Sequence, residues 1–70
     1  MTSLNQRLLR AHSDGDRAAL VRLYSAAAAA ADTSEAAAFY LTHAYVFALE
    51  SGHPDSVELR ARLHAMGREH

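Results

Sequence analysis

Gly15 and Gly52 lie 37 residues apart, each flanked on both sides by stretches with apolar residues at helical spacing, and this punctuation restricts the chain to helical hairpins. Upstream of Gly15, Ser3 is placed to cap a helix, with Gln6 three residues on to complete a capping box, and Leu4, Leu8 and Ala11 recur at helical spacing. Gly15 adopts the left-handed conformation that ends helices at no steric cost, and Asp14 or Asp16 caps the next helix. That second helix carries Leu20, Leu23, Tyr24, Ala27 and Ala30 or Ala31 as its apolar stripe, with Arg17 and Arg22 on the wetter side. The unbroken alanines from Ala26 to Ala31 extend it, because alanine is the best helix former. Asp32 and Glu35, in capping-box spacing, open a third helix that runs to about Ser51. Pro54 suits the first turn of a fourth, where its missing amide proton costs nothing. The fourth helix carries Val57, Leu59, Ala61, Leu63 and Met66, stops at Gly67, and leaves Arg68 to His70 to fray.

The predicted fold class is therefore all-α, one domain of four helices as two antiparallel hairpins, over residues 3–31 and 33–67. A 70-residue domain buries only about 60% of the surface its unfolded chain exposes, which makes it marginal. No cysteine is present to staple it or to hold zinc. Half of the residues are apolar, but alanine dominates and tryptophan is absent, so there is little bulk to fill a core and self-association is expected. Net charge is −1 with both signs interspersed, which argues against a nucleic-acid or membrane-surface partner. Asn5, Gln6, Arg7 and Arg10 occupy the place of a signal peptide's apolar segment, and the stretch from Ala36 to Leu49 is shorter than a membrane span. A cytoplasmic location is the expectation.

Shifting the chain along itself by 37 residues pairs Leu4 with Leu41, Leu8 with Tyr45, Ala11 with Ala48, Gly15 with Gly52, Leu20 with Val57 and Tyr24 with Ala61. Self-similarity of this kind marks a helical-hairpin array. Ala38, Leu41, Thr42 and Tyr45, together with Gly15, Asp16, Leu20, Tyr24 and Ala27, resemble the tetratricopeptide (TPR) pattern, with Ala38 in place of the motif's aromatic. Tyr45 to Val57 exceeds the motif's usual separation by three residues, and its terminal proline is absent. The resemblance implies peptide or protein binding without catalysis. Two lone hairpins, fewer than a solenoid ordinarily needs, are expected to close on each other or to dimerise.

The histidines, His12, His43, His53, His64 and His70, include no pair at i and i+4, and Glu50 with His53 straddles a helix end at Gly52, so no metal site and no cofactor are predicted. His12 and His53 are assigned to turns, His64 and His70 to solvent, and His43 to packing. The serines fall mostly at helix boundaries, and no nucleophile elbow or phosphate-binding glycine loop occurs, so no catalytic residue is predicted. The third helix is apolar nearly all round, with Leu41, Tyr45 and Ala48 on one face and Phe39, His43, Val46 and Phe47 around the other. Such a helix is either the domain's centre or part of an interface. The leading expectation is a protein-interaction or adaptor module that forms a homodimer, with Phe39, Tyr40, His43 and Phe47 at the contact. The alternative is a small-ligand or sensing bundle in which Tyr40, His43 and Tyr45 place polar groups in an apolar pocket.

Overall fold

The computed structural model describes residues 3–67. Four helices follow in order: α1 (Leu4–Asp14), α2 (Arg17–Ala30), α3 (Ser34–Ser51) and α4 (Ser56–Ala65). Among the described residues there is no strand, and no helix is long and apolar enough to cross a membrane. Arg68 to His70, expected to fray, lie outside the described residues.

The helix ends follow from local chemistry. Ser3 accepts from the Gln6 amide at 3.1 Å while the Gln6 side chain accepts from the Ser3 amide at 3.0 Å, the reciprocal capping box expected there. Asp16, not Asp14, caps α2, accepting from the Ala19 amide. The two glycines are conformational twins, each at φ 66°. The Asp16 amide donates to the Ala11 carbonyl and the His53 amide to the Ala48 carbonyl, the 6→1 bond of a Schellman ending in both halves. The 37-residue repeat therefore holds for α1, α3 and their C-terminal glycines.

Beyond the glycines the repeat slips. Gly15 is followed at once by the cap residue Asp16, whereas Gly52 is followed by a turn through His53, Pro54 and Asp55 before α4 begins at Ser56. Pro54 thus precedes α4 rather than lying in its first turn. It occupies the second position of a β-turn closed by the Ser56 amide on the His53 carbonyl at 3.1 Å, where its fixed φ is favoured. The extra two residues shift the equivalences: counted from the caps, Leu20 matches Leu59, and each is 2% exposed, while Val57 is 77% exposed. Two residues turn a helix by about 200°, enough to carry Val57 from the core to the surface. Ala61, expected in the stripe, is exposed for the same reason.

A further correction concerns α3. Its cap is Thr33, whose hydroxyl accepts from the Ala36 amide at 3.0 Å; Asp32 caps nothing, and Glu35 contributes only its charge in the first turn.

The helices zigzag, α1 approaching α2, α2 approaching α3 and α3 approaching α4, with the α2–α3 pair the most extensive. No other pair of helix backbones comes close, and the Cα atoms fill a slab of 33 × 29 × 13 Å. Because α2 lies between two neighbours, it buries two stripes. Leu20 and Leu23 join Ala11 against α1, while Val21 and Ala28 join Leu41, Ala44, Ala48, Leu59 and Leu63. The sequence reading named only the first stripe and missed Val21, which has no exposed surface.

Candidate functional site

Small residues in the core that α2 and α3 share, Ala28, Ala44 and Ala48, let the two helices approach, and α1, antiparallel to α2, comes to run alongside α3 without backbone contact. The space between α1 and α3, floored by α2, holds the aromatic side chains. Tyr24 of α2 is the hub. It stacks on Phe47 with centroids 5.8 Å apart and planes 12° from parallel, and lies 5.2 Å from His43 and 6.3 Å from Tyr40. Its hydroxyl is 2.9 Å from His12 Nε2, and the His12 ring meets Phe47 edge-on at 5.5 Å. Phe39 completes the strip, 4.4 Å from His43 and 5.5 Å from Tyr40.

The four expected interface residues, Phe39, Tyr40, His43 and Phe47, are therefore brought together, but unequally. Phe39 is 59% exposed, whereas Tyr40, His43 and Phe47 are half-buried against the Tyr24 side of the fold. Tyr45 does not join them. Five residues beyond Tyr40, it is rotated by about 140° around α3 and makes no ring contact, packing instead against the alanine-rich core. The trio Tyr40, His43 and Tyr45 is not one pocket.

His43 is internally satisfied, as expected of a packing histidine. Its Nδ1 lies 2.9 Å from the Phe39 carbonyl, which can only accept, so Nδ1 is the donor in this bond. His53 serves its turn by accepting from the Asp55 amide at 3.0 Å, and His64 is exposed. His12 serves more than a turn: it bridges α1 to Tyr24 and Phe47. Its role and that of Tyr24 as hub depend on how α1 and α3 flank α2, which spacing within a single helix does not reveal. Arg17 and Glu50, 3.4 Å apart, tie the start of α2 to the end of α3 at the same end of the molecule.

At its other end the strip opens. Where Tyr40 faces Leu4, an open cleft of about 480 Å³ is lined also by Ala27, Ala31, Asp32 and Ala36. Among the described residues no three His, Asp or Glu side chains converge as metal ligands would. The strip offers ring faces and edges for apolar, stacking and cation–π contacts.

A second surface lies on the outer side of α3. Phe39, Val46 and Leu49 are 59%, 45% and 56% exposed, and with Thr42 they fall at spacings of three, four and three. This is the spacing of a two-helix seam, about 15 Å long over ten residues. Thr42 donates its hydroxyl to the Ala38 carbonyl at 2.7 Å, so the one polar side chain in the seam has its donor satisfied.

No family model, curated protein or solved structure matches the chain.

Proposed function

We propose that the protein is a non-catalytic protein–protein interaction module that pairs with a second copy of itself through the outer face of α3. The observation that carries this reading is the seam of Phe39, Thr42, Val46 and Leu49, a heptad-spaced apolar row that no other helix covers. Large apolar side chains in a row mark contact surfaces rather than scattered exposure. Two such rows laid against each other about a two-fold axis close the assembly with one patch used twice. The three side chains alone cover well under the ~800 Å² per partner of a standard interface, so exposed neighbours such as Glu50 at the seam's edge take part and the pairing depends on concentration. The resemblance to tetratricopeptide hairpins is supported by the zigzag order and the twin glycine endings, and its implication of protein binding agrees with this reading. The separation of Tyr45 from Tyr40 and His43 removes the main support for a small-ligand pocket built from those three.

Light scattering over a range of concentrations tests the proposal. The parent is expected to shift from monomer towards dimer as concentration rises, and Val46→Glu and Phe39→Glu to give helical monomers at all concentrations. A parent that stays monomeric at millimolar concentration defeats it. Phe47→Glu is a poorer probe, because Phe47 is stacked on Tyr24 and its loss disturbs the fold itself.

A further inference from the structure

The cleft between Leu4 and Tyr40 differs from the rest of the ring-lined strip in its charge. Asp32 lines it, and no basic residue does. The Asp32 carboxylate forms no hydrogen bond or ion pair with any described residue, and it caps no helix. The last turn of α2, whose Ala27 and Ala30 also line the cleft, carries no basic residue to offset the negative end of the helix dipole. The lining is otherwise alanine, Leu4, Thr33 and the Tyr40 ring, so most of the cleft's walls are small side chains. An open, alanine-walled cleft with an unpaired carboxylate, helix carbonyl ends and one aromatic ring matches a planar cation better than a compact one. A guanidinium stacks on an aromatic ring while donating to a carboxylate and to carbonyls, and it sheds water more readily than an ammonium.

Tyr40, which lines the cleft, lies 6.3 Å from Tyr24, and Tyr24 stacks on Phe47, so a row of rings leads away from the cleft along the strip. Tyr40 to Phe47 is seven residues of helix, about 10 Å, which three residues of a polyproline-II segment, at about 3.1 Å each, nearly span with the first and fourth side chains on one face. Over that distance the His43 ring, whose Nδ1 is engaged by the Phe39 carbonyl, leaves Nε2 for a polar group of the peptide backbone.

We infer that the groove between α1 and α3 binds a polyproline-II segment of a partner protein, seating an arginine in the Asp32–Tyr40 cleft and, three residues away, an apolar side chain on the Tyr24–Phe47 rings. This site is separate from the α3 seam, and its occupation does not require the pairing proposed above.

The experiment is an amide chemical-shift titration of the full chain with a blocked peptide, acetyl-Gly-Arg-Ser-Gly-Leu-Gly-amide. Saturable shifts are expected at Leu4, Ala31, Asp32 and Tyr40 and, at the other end, at Tyr24 and Phe47. Replacing the peptide's arginine by citrulline, which keeps the shape and removes the charge, is expected to weaken binding about tenfold. Asp32→Asn is expected to do the same with the helical spectrum unchanged, because Asp32 caps nothing. Ala30→Leu, a substitution at an exposed helical position on the cleft wall, is expected to block the arginine end. Val46→Glu, monomeric under the pairing reading, is expected to bind the peptide as the parent does, which separates failure of this inference from failure of that one. Absence of saturable shifts at millimolar peptide overturns the inference, as does equal binding of the citrulline peptide. Acetyl-arginine-amide binding as tightly as the peptide also overturns it, since the cleft would then be a small-cation site with no peptide groove.

Discussion

The inner and outer faces of α3 invert the usual division of labour in a helix. On the inner side Ala38, Ala44 and Ala48 are buried, with Leu41 the only large residue among them; on the outer side Phe39, Val46 and Leu49 stand in solvent. Small residues let α2 and α3 approach closely, so the stabilising contacts are many atoms of backbone and methyl groups rather than a few large side chains. The helix thus puts alanine at its closest contact with the fold, flanks it with the half-buried rings of Tyr40, Tyr45 and Phe47, and leaves three large apolar side chains on a surface.

Enlarging the inner face is the most direct way to break this contrast. Ala44→Leu introduces three carbons where there is no exposed surface, and overpacking of this kind costs about 1–3 kcal/mol. In so small a domain the loss is expected to appear as a large fall in the chemical denaturation midpoint. The next effect concerns the register that brings the outer seam into line. A Cβ at Gly52 meets nothing within 4 Å, so Gly52→Ala is penalised only through its positive φ, by about 1–2 kcal/mol, and Gly15→Ala is expected to cost the same. Unequal costs would show that the two hairpin endings are not equivalent. Smaller again is Thr33→Ala, expected to lower stability by about 1 kcal/mol through loss of the α3 cap, while Asp32→Ala leaves the melting temperature unchanged. At the outer face, Val46→Ser is expected to shift stability of the monomer by under about 0.5 kcal/mol, measured at dilutions where pairing is absent. A larger loss there would mean that the outer face belongs to the core after all.

The sequence made the helix ends readable because they are written in local chemistry: Ser3 with Gln6, the two glycines, and the hydroxyl and carboxyl groups near each start. What escaped was relational. Val21 and Ala28 lie off the first stripe of α2, and only a second neighbour makes them core residues. Val57 was paired with Leu20 by a constant shift of 37, but the turn at Pro54 adds two residues and Leu59 takes the buried place. Asp32 has the same spacing to Glu35 as a cap residue, yet the backbone turns into the helix one residue later, at Thr33. The aromatic side chains were visible as a group within α3, and their candidate site was half legible on that account. Its other half, Tyr24 and His12, comes from two different helices and depends on the order in which they pack.

That packing order also bears on how the chain reaches its structure and how it loosens. Each helix meets mainly the helix before or after it, so almost every contact joins nearby stretches of chain and little loop entropy must be lost before contacts form. Folding is correspondingly expected to be fast, with α2 and α3 as its nucleus. In the folded state α1 and α4 each lean on one neighbour through the backbone, and either can open while the central pair stays closed. Since α1 forms one wall of the ring-lined groove, its opening and closing sets how often that groove is complete.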